Sequence, residues 1–297
     1  MSTDGESRVS KVACVPVLPS EVEARLRVRA SHLIMLPAVA TKALEIVKDP
    51  ACSIQEFSAV VERDAVLAAD VLRLSNSILF GASRPILNLH QAVVRLGIRQ
   101  CKNLIYASSF GSMLKKMTLS EERVCESLWR HSFITALLAQ KLNQSLDAGF
   151  QGEEFAGGLM HDIGRMLLAI CFSVTFEENA EILDAEAEAI ETNHCEVGAW
   201  FIQKNNLPAA FFDAVRFHHN PELSEDHRRF VALIAASDHM ANHLDRATEL
   251  PEYEPQQNLA IGLLEECGVA QASSRFQVSA LDIMQAVSRE AAEKQML

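Results

Sequence analysis

The run from Phe155 to Ile170 is apolar around its whole circumference at helical spacing, yet it carries an adjacent imidazole and carboxylate, His161-Asp162, at its middle. A helix that is hydrophobic on every side belongs inside a protein. A buried, unpaired aspartate is expensive there, so Asp162 needs a cation, a metal or strong hydrogen bonds. The same conflict recurs at Asp238, inside the apolar run Phe230 to Met240. Any fold of this chain has to bring partners to two buried acids.

Candidate partners are His131 in Leu128-Trp129-Arg130-His131-Ser132, His194 in Thr192-Asn193-His194-Cys195-Glu196, and the adjacent pair His218-His219. Neutral imidazole and carboxylate together form the ligand set of Mn, Fe, Ni or Zn, and this many ligands exceeds the four of a structural zinc. A mixed cluster of this size predicts two divalent transition-metal ions bridged by a carboxylate and a water, a pair suited to phosphoester hydrolysis. Against this stands a plainer reading, because a single buried histidine is more often a hydrogen-bonded core residue. One of His218 and His219 is also free to face solvent, since neighbours on a helix point in different directions. A metal-free scaffold would require the two acids to pair with groups such as Arg130 or Arg216. His32, His90, His227, His239 and His243 read as structural or surface residues.

Composition sets the frame. With 49% hydrophobic but only 6% aromatic residues, few glycines and many helix formers, the chain is expected to be all-α. Its 297 residues allow two packed subdomains or one large helical domain. Pro16 and Pro19 break any early helix, and Ser20 followed by Glu21 and Glu23 starts one, so residues 1–29 read as an accessory segment. A first helical array follows over 30–118, in short blocks such as Val60, Val61, Val66, Leu67, Val71 and Leu72, with turns at Asp49-Pro50, Gly81 and Gly97 and a capping box at Ser53/Glu56. Short, frequently capped helices predict an orthogonal multi-helix array rather than a long bundle. Residues 119–250 form a second array that carries the His/Asp cluster, with the acidic, alanine-rich tract Glu177 to Glu191 read as a solvated bridging helix. Residues 251–297 open with the linker-like Pro251-Glu252-Tyr253-Glu254-Pro255 and continue as amphipathic helices.

The formal charge of -12 argues against non-specific capture of nucleic acid or an anionic membrane. Seven scattered cysteines, none in a C-x-x-C pair, give no disulfide framework and no thiolate zinc motif, so a reduced cytoplasm is expected. No segment has some 18 uninterrupted apolar residues, so no membrane span is expected.

The order His131, His161-Asp162, His194, His218-His219, Asp238 resembles the metal-ligand series of the HD superfamily of phosphohydrolases, in particular the HD-GYP cyclic-dinucleotide phosphodiesterases. The first array narrows the likeness. Leu36-Pro37-Ala38, Val47-Lys48-Asp49-Pro50, Arg63-Asp64, Leu72 to Ser77, Phe80-Gly81, Ala92 to Gly97 and Leu128 to Ser132 together look like the HDOD domain. The resemblance covers about Leu36 to Asn242. It implies an HD-superfamily helical fold with an N-terminal helical subdomain and a role in bacterial signal transduction, through a signalling protein met in trans or a small nucleotide ligand. HDOD proteins have generally not been shown to hydrolyse anything. If hydrolysis occurs, the resemblance makes Asp162 and Arg165 the catalytic candidates, Arg165 steadying the phosphate. Three departures from HD-GYP stand out: His219 runs into Asn220-Pro221-Glu222 with no Gly-Tyr-Pro, Arg165 replaces a lysine, and Ser127 replaces the glutamate of trimetal members, which removes a ligand for a third ion.

Overall fold

The computed structural model describes residues 16–29, 38–47, 49, 51–76, 85–114, 119–172, 181–246 and 253–293. The Leu36-Pro37 pair, Pro50, Ser77, Phe80-Gly81, Pro251-Glu252 and His32 lie outside them. The described residues form helices and no strands, in the order α1 (Ser20–Arg29), α2 (Ala38–Ile46), α3 (Ile54–Val61), α4 (Ala65–Ser75), α5 (Leu89–Leu114), α6 (Leu119–Leu146), α7 (Glu153–Met160), α8 (Ile163–Phe172), α9 (Ile182–Ile190), α10 (His194–Lys204), α11 (Ala209–Phe217), α12 (Arg228–Arg246), α13 (Leu259–Glu266) and α14 (Ala272–Glu293).

Local chemistry sets several of these boundaries. Ser53 caps α3 by accepting from the Glu56 N–H while Glu56 accepts from the Ser53 N–H, closing the expected capping box. In α3 and α4, Val61, Leu67 and Val71 turn into the core, whereas Val66 stays exposed. Gly97 adopts φ 80° and ψ 157°, a conformation that only glycine takes without strain, and so breaks α5 into two helical segments. Helices α2 to α5 pack mainly on one another and make the first array.

The second array is centred on α6, which touches α7, α8, α12 and α14. Its apolar side, including Ile134, Leu137, Leu138 and Leu142, is buried in the core. The expected single helix from Phe155 to Ile170 is instead two helices, α7 and α8, separated by a turn at His161-Asp162. That break sets the two polar side chains at a helix end, where they can point together into the interior. The stretch Glu153–Phe172 is long and apolar enough to cross a membrane, but 89% of its 18-residue apolar window is buried within the protein. Helix α8 can lie close to α10 because Gly164 has no side chain; any Cβ there would run into the His194 carbonyl.

Two expectations need correction. The tract Glu177 to Glu191 is not simply a solvated bridge: its described part includes α9, where Glu186 is 1% exposed and points at His194. Tyr253, expected in a linker, is 5% exposed and stands edge-on to His239, His243 and Phe276. The helices that follow close over the second array, α13 against α12 and α14 against α6.

Candidate metal centre

Five elements converge on one buried point. Helix α6 brings His131, the α7–α8 turn brings His161 and Asp162, the start of α10 brings His194, the end of α11 brings His218 and His219, and α12 brings Asp238. His161 and His194 are fully buried, and His131, Asp162, His218 and Asp238 nearly so. His218 and His219 follow the end of α11 at Phe217, and both face the cluster. His219 is the more exposed of the two.

The hydrogen bonds assign the Nδ1 proton of three of these rings. His161 Nδ1 lies 2.8 Å from the Gly158 carbonyl, His218 Nδ1 lies 3.0 Å from the Val215 carbonyl, and His194 Nδ1 lies 2.8 Å from Glu186 Oε2. Each acceptor takes the proton of Nδ1, so in the neutral ring that a metal ligand must be, Nε2 carries a bare lone pair. Those lone pairs point at other acceptors. His161 Nε2 is buried without a hydrogen-bond partner and faces Asp238 Oδ1 at 3.5 Å and Asp162 Oδ2 at 3.7 Å. His194 Nε2 and His218 Nε2 face each other at 3.4 Å. Lone pairs turned on one another and on carboxylates repel unless a cation stands between them, so the donor set fits a metal.

Asp162 stands between two groups of donors. Its Oδ1 lies 3.5 Å from His218 Nε2 and 3.6 Å from His194 Nε2, and its Oδ2 lies 3.7 Å from His161 Nε2 and 3.9 Å from His131 Nε2. Burial opposes ionisation of Asp162, but His161 and Arg165 outweigh it and hold the carboxyl well below its usual range. Asp238 is likewise buried and held low by His131 and His161. His131 sits between Asp238, 3.0 Å from its Nε2, and Asp245, 2.8 Å from its Nδ1. Burial works against its charged form, yet these two carboxylates raise it to about 10. Burial and the neighbouring imidazoles push His219 down to about 3.

Arg165 donates to Asp162 at 3.2 Å. Arg130 pairs with Asp245 and Arg216 with Glu196. Three orienting residues were not singled out from sequence. Glu186 accepts both the His194 Nδ1–H and its backbone N–H, Asp245 holds His131, and Asn242 donates to Asp238 at 3.0 Å. Cys195, 3% exposed, also lies at the cluster. A cavity of about 900 Å³ opens beside it, lined by His218, His219 and Asp238, by His239 and His243 of α12, and by α13 with Glu266 at its end. None of the described residues that line it is lysine or arginine.

The HDOD domain family matches residues 33–221 of this sequence. The chain belongs to the HDOD family. This HDOD protein is 26% identical over 226 residues to an uncharacterised protein of Treponema pallidum (strain Nichols), covering 72% of the chain but only 43% of that relative, so it spans less than half of the relative's length. An HDOD domain protein of unknown function from Geobacter sulfurreducens shares the fold with a TM-score of 0.66 at 22% identity, over 91% of this chain and 99% of that one. A Shewanella amazonensis SB2B protein, described by inference as a metal-dependent phosphohydrolase, superposes with a TM-score of 0.60 at 19% identity, over 91% and 99% of the two chains. A Marinobacter aquaeolei VT8 protein, described likewise as a signal transduction protein, gives 0.59 at 18% identity, over 92% and 67%. At such identities these likenesses establish the HDOD fold.

Proposed function

We propose that this HDOD protein is a cytoplasmic signal-transduction module that holds two divalent transition-metal ions, of Mn, Fe, Ni or Zn, and acts by binding a small nucleotide ligand or a signalling protein in trans. The observation that carries this reading is the convergence of the bare Nε2 lone pairs of His161, His194 and His218 on Asp162 and Asp238. His131, His161 and Asp238 would hold one ion and His194, His218 and His219 the other, with one oxygen of Asp162 turned to each group. Bound ions would supply Lewis acidity and a positive seat for an anionic group. The chain's own residues do the rest: Glu186 and Asp245 fix the imidazole orientations, Arg165 offsets the charge of Asp162, and the adjoining cavity admits a ligand. The test is metal content by elemental mass spectrometry on protein purified without chelator or histidine tag. Near two equivalents, lost in Asp162→Ala, are expected; none after anaerobic reconstitution would overturn the proposal.

A second reading is a metal-dependent phosphodiesterase or nucleotide phosphohydrolase with Asp162 and Arg165 as catalytic residues. The cavity at His219 and Asp238 favours it, since a phosphoester could reach the cluster there. The engagement of Arg165 with Asp162 weighs towards the binding role. Incubation of metal-loaded protein with cyclic dinucleotides and nucleotides separates the two: turnover abolished by Asp162→Ala selects hydrolysis, and bound metal without product selects the binding module.

A further inference from the structure

The two buried acids draw attention to the oxygen side of the cluster, but its other side has a different chemistry. His194 is the first residue of α10 and Cys195 the second, so both side chains leave the same helix end. The Cys195 sulfur lies 3.5 Å from His194 Nε2. His194 Nε2 lies 3.4 Å from His218 Nε2 and 3.1 Å from His219 Nε2. One donor atom from each of these four residues falls within 4.8 Å of all the others, and only His219 of the four is appreciably exposed.

These spacings can be compared with those around a tetrahedral ion. Metal–nitrogen bonds of about 2.0–2.1 Å and metal–sulfur bonds of about 2.3 Å place nitrogens about 3.3–3.4 Å apart and nitrogen and sulfur about 3.5–3.6 Å apart. The observed His194–His218 and His194–Cys195 separations fall on those values, and the His194–His219 separation of 3.1 Å is slightly shorter. The lone cysteine is not the argument by itself. With Nδ1–H of His194 committed to Glu186 and Nδ1–H of His218 committed to Val215, the two buried imidazoles, in the neutral form that ligates a metal, turn their Nε2 lone pairs on each other. Something electrophilic belongs in that gap, and the cysteine sulfur stands beside it.

We propose that Cys195 is a thiolate ligand, so that one half of the centre is a site of three imidazole nitrogens and one sulfur made by His194, Cys195, His218 and His219, while His131, His161 and Asp238 form a nitrogen–oxygen site, with Asp162 between the two. The inference rests on the metal-binding reading above. On binding, the sulfur–metal bond forms as the S–H proton leaves to solvent, and no oxidation accompanies it. A soft donor on one side and hard donors on the other make the two positions unequal: the sulfur side favours Zn or Fe(II), and the oxygen side accepts Mn.

The probe is Co(II) added to the metal-free full-length chain. The expected result is visible ligand-field bands together with a near-ultraviolet sulfur-to-cobalt charge-transfer band, the latter lost in Cys195→Ser and retained in Cys101→Ser. X-ray absorption on the unmutated protein, which needs no variant to fold, is expected to show one sulfur at about 2.3 Å from cobalt. Ligand-field bands without the charge-transfer band or sulfur scattering would overturn the thiolate and leave the metal centre standing. A charge-transfer band that survives Cys195→Ser would also overturn it. Failure to bind Co(II) at all would overturn both the thiolate and the metal reading.

Discussion

Glu154 shows how much one residue's surroundings decide here. It stands in the first turn of α7, is 3% exposed, and accepts the Gly152 N–H at 2.7 Å and the Asn143 side-chain amide at 3.1 Å, so it ties the α6–α7 loop together. Burial raises its carboxyl above the ordinary glutamate value of 4.5, and these hydrogen bonds only partly offset that. A raised native pKa means that the folded state binds more protons than the unfolded one from about pH 4.5 upward. The contribution of Glu154 is therefore fully present below that pH and is lost as pH rises through the native pKa. Urea midpoints of the protein and of Glu154→Gln, measured between about pH 4.5 and 7.5, are expected to shift relative to each other in the variant's favour as pH rises. A constant difference would overturn the argument. The cluster residues obey the same logic with opposite partners: the carboxylates keep their charge because imidazoles and Arg165 surround them.

Among the elements, the C-terminal helices were the hardest to place from sequence. Tyr253 sits between prolines, so its neighbourhood reads as a linker, yet its ring is enclosed by His239, His243 and Phe276, and its hydroxyl accepts from the Asn258 amide at 3.0 Å. Asn258 also donates to the Ala236 carbonyl of α12, which fastens the start of α13 to the helix bearing Asp238. Tyr253→Ala should cost about 3 kcal/mol or more of stability, typical of deleting a buried aromatic ring. A shift in the denaturant midpoint equivalent to less than about 1 kcal/mol would show that the ring anchors nothing. What could be read in advance followed from contrast. His161-Asp162 and Asp238 stand out because apolar residues surround them, and the Ser53/Glu56 box and Gly97 because their roles are local. Glu186 and Asp245 had no such contrast, one lying in an acidic alanine-rich tract and the other near the polar end of α12. Cys195 was one of seven scattered cysteines, and only tertiary packing sets its sulfur in a ring of imidazoles. The break between α7 and α8 was hidden because apolar residues continue at helical spacing on both sides of His161-Asp162, with no proline at the turn.

For the whole molecule, the centre joins parts of the chain that are far apart in sequence: His131 and Asp238 lie 107 residues apart and 3.0 Å from each other. An ion bound to the folded state alone stabilises it by mass action, by about 2.7 kcal/mol at a hundredfold excess over Kd. Addition of the bound metal is thus expected to raise the thermal midpoint of the intact protein and to leave that of Asp162→Ala unchanged; equal shifts in both would place the effect elsewhere. The position of Asp238 has a further consequence for biosynthesis. It lies beyond the 33–221 span matched by the family and on the last helix to reach the cluster. A ribosome that has made the chain through His219 has delivered every histidine of the centre but only one of its two acids. If the centre holds metal as proposed, its ligand set would be complete only once α12 has emerged, so a chain that stops before Asp238 could not offer it and metal would be acquired only after α12 is made.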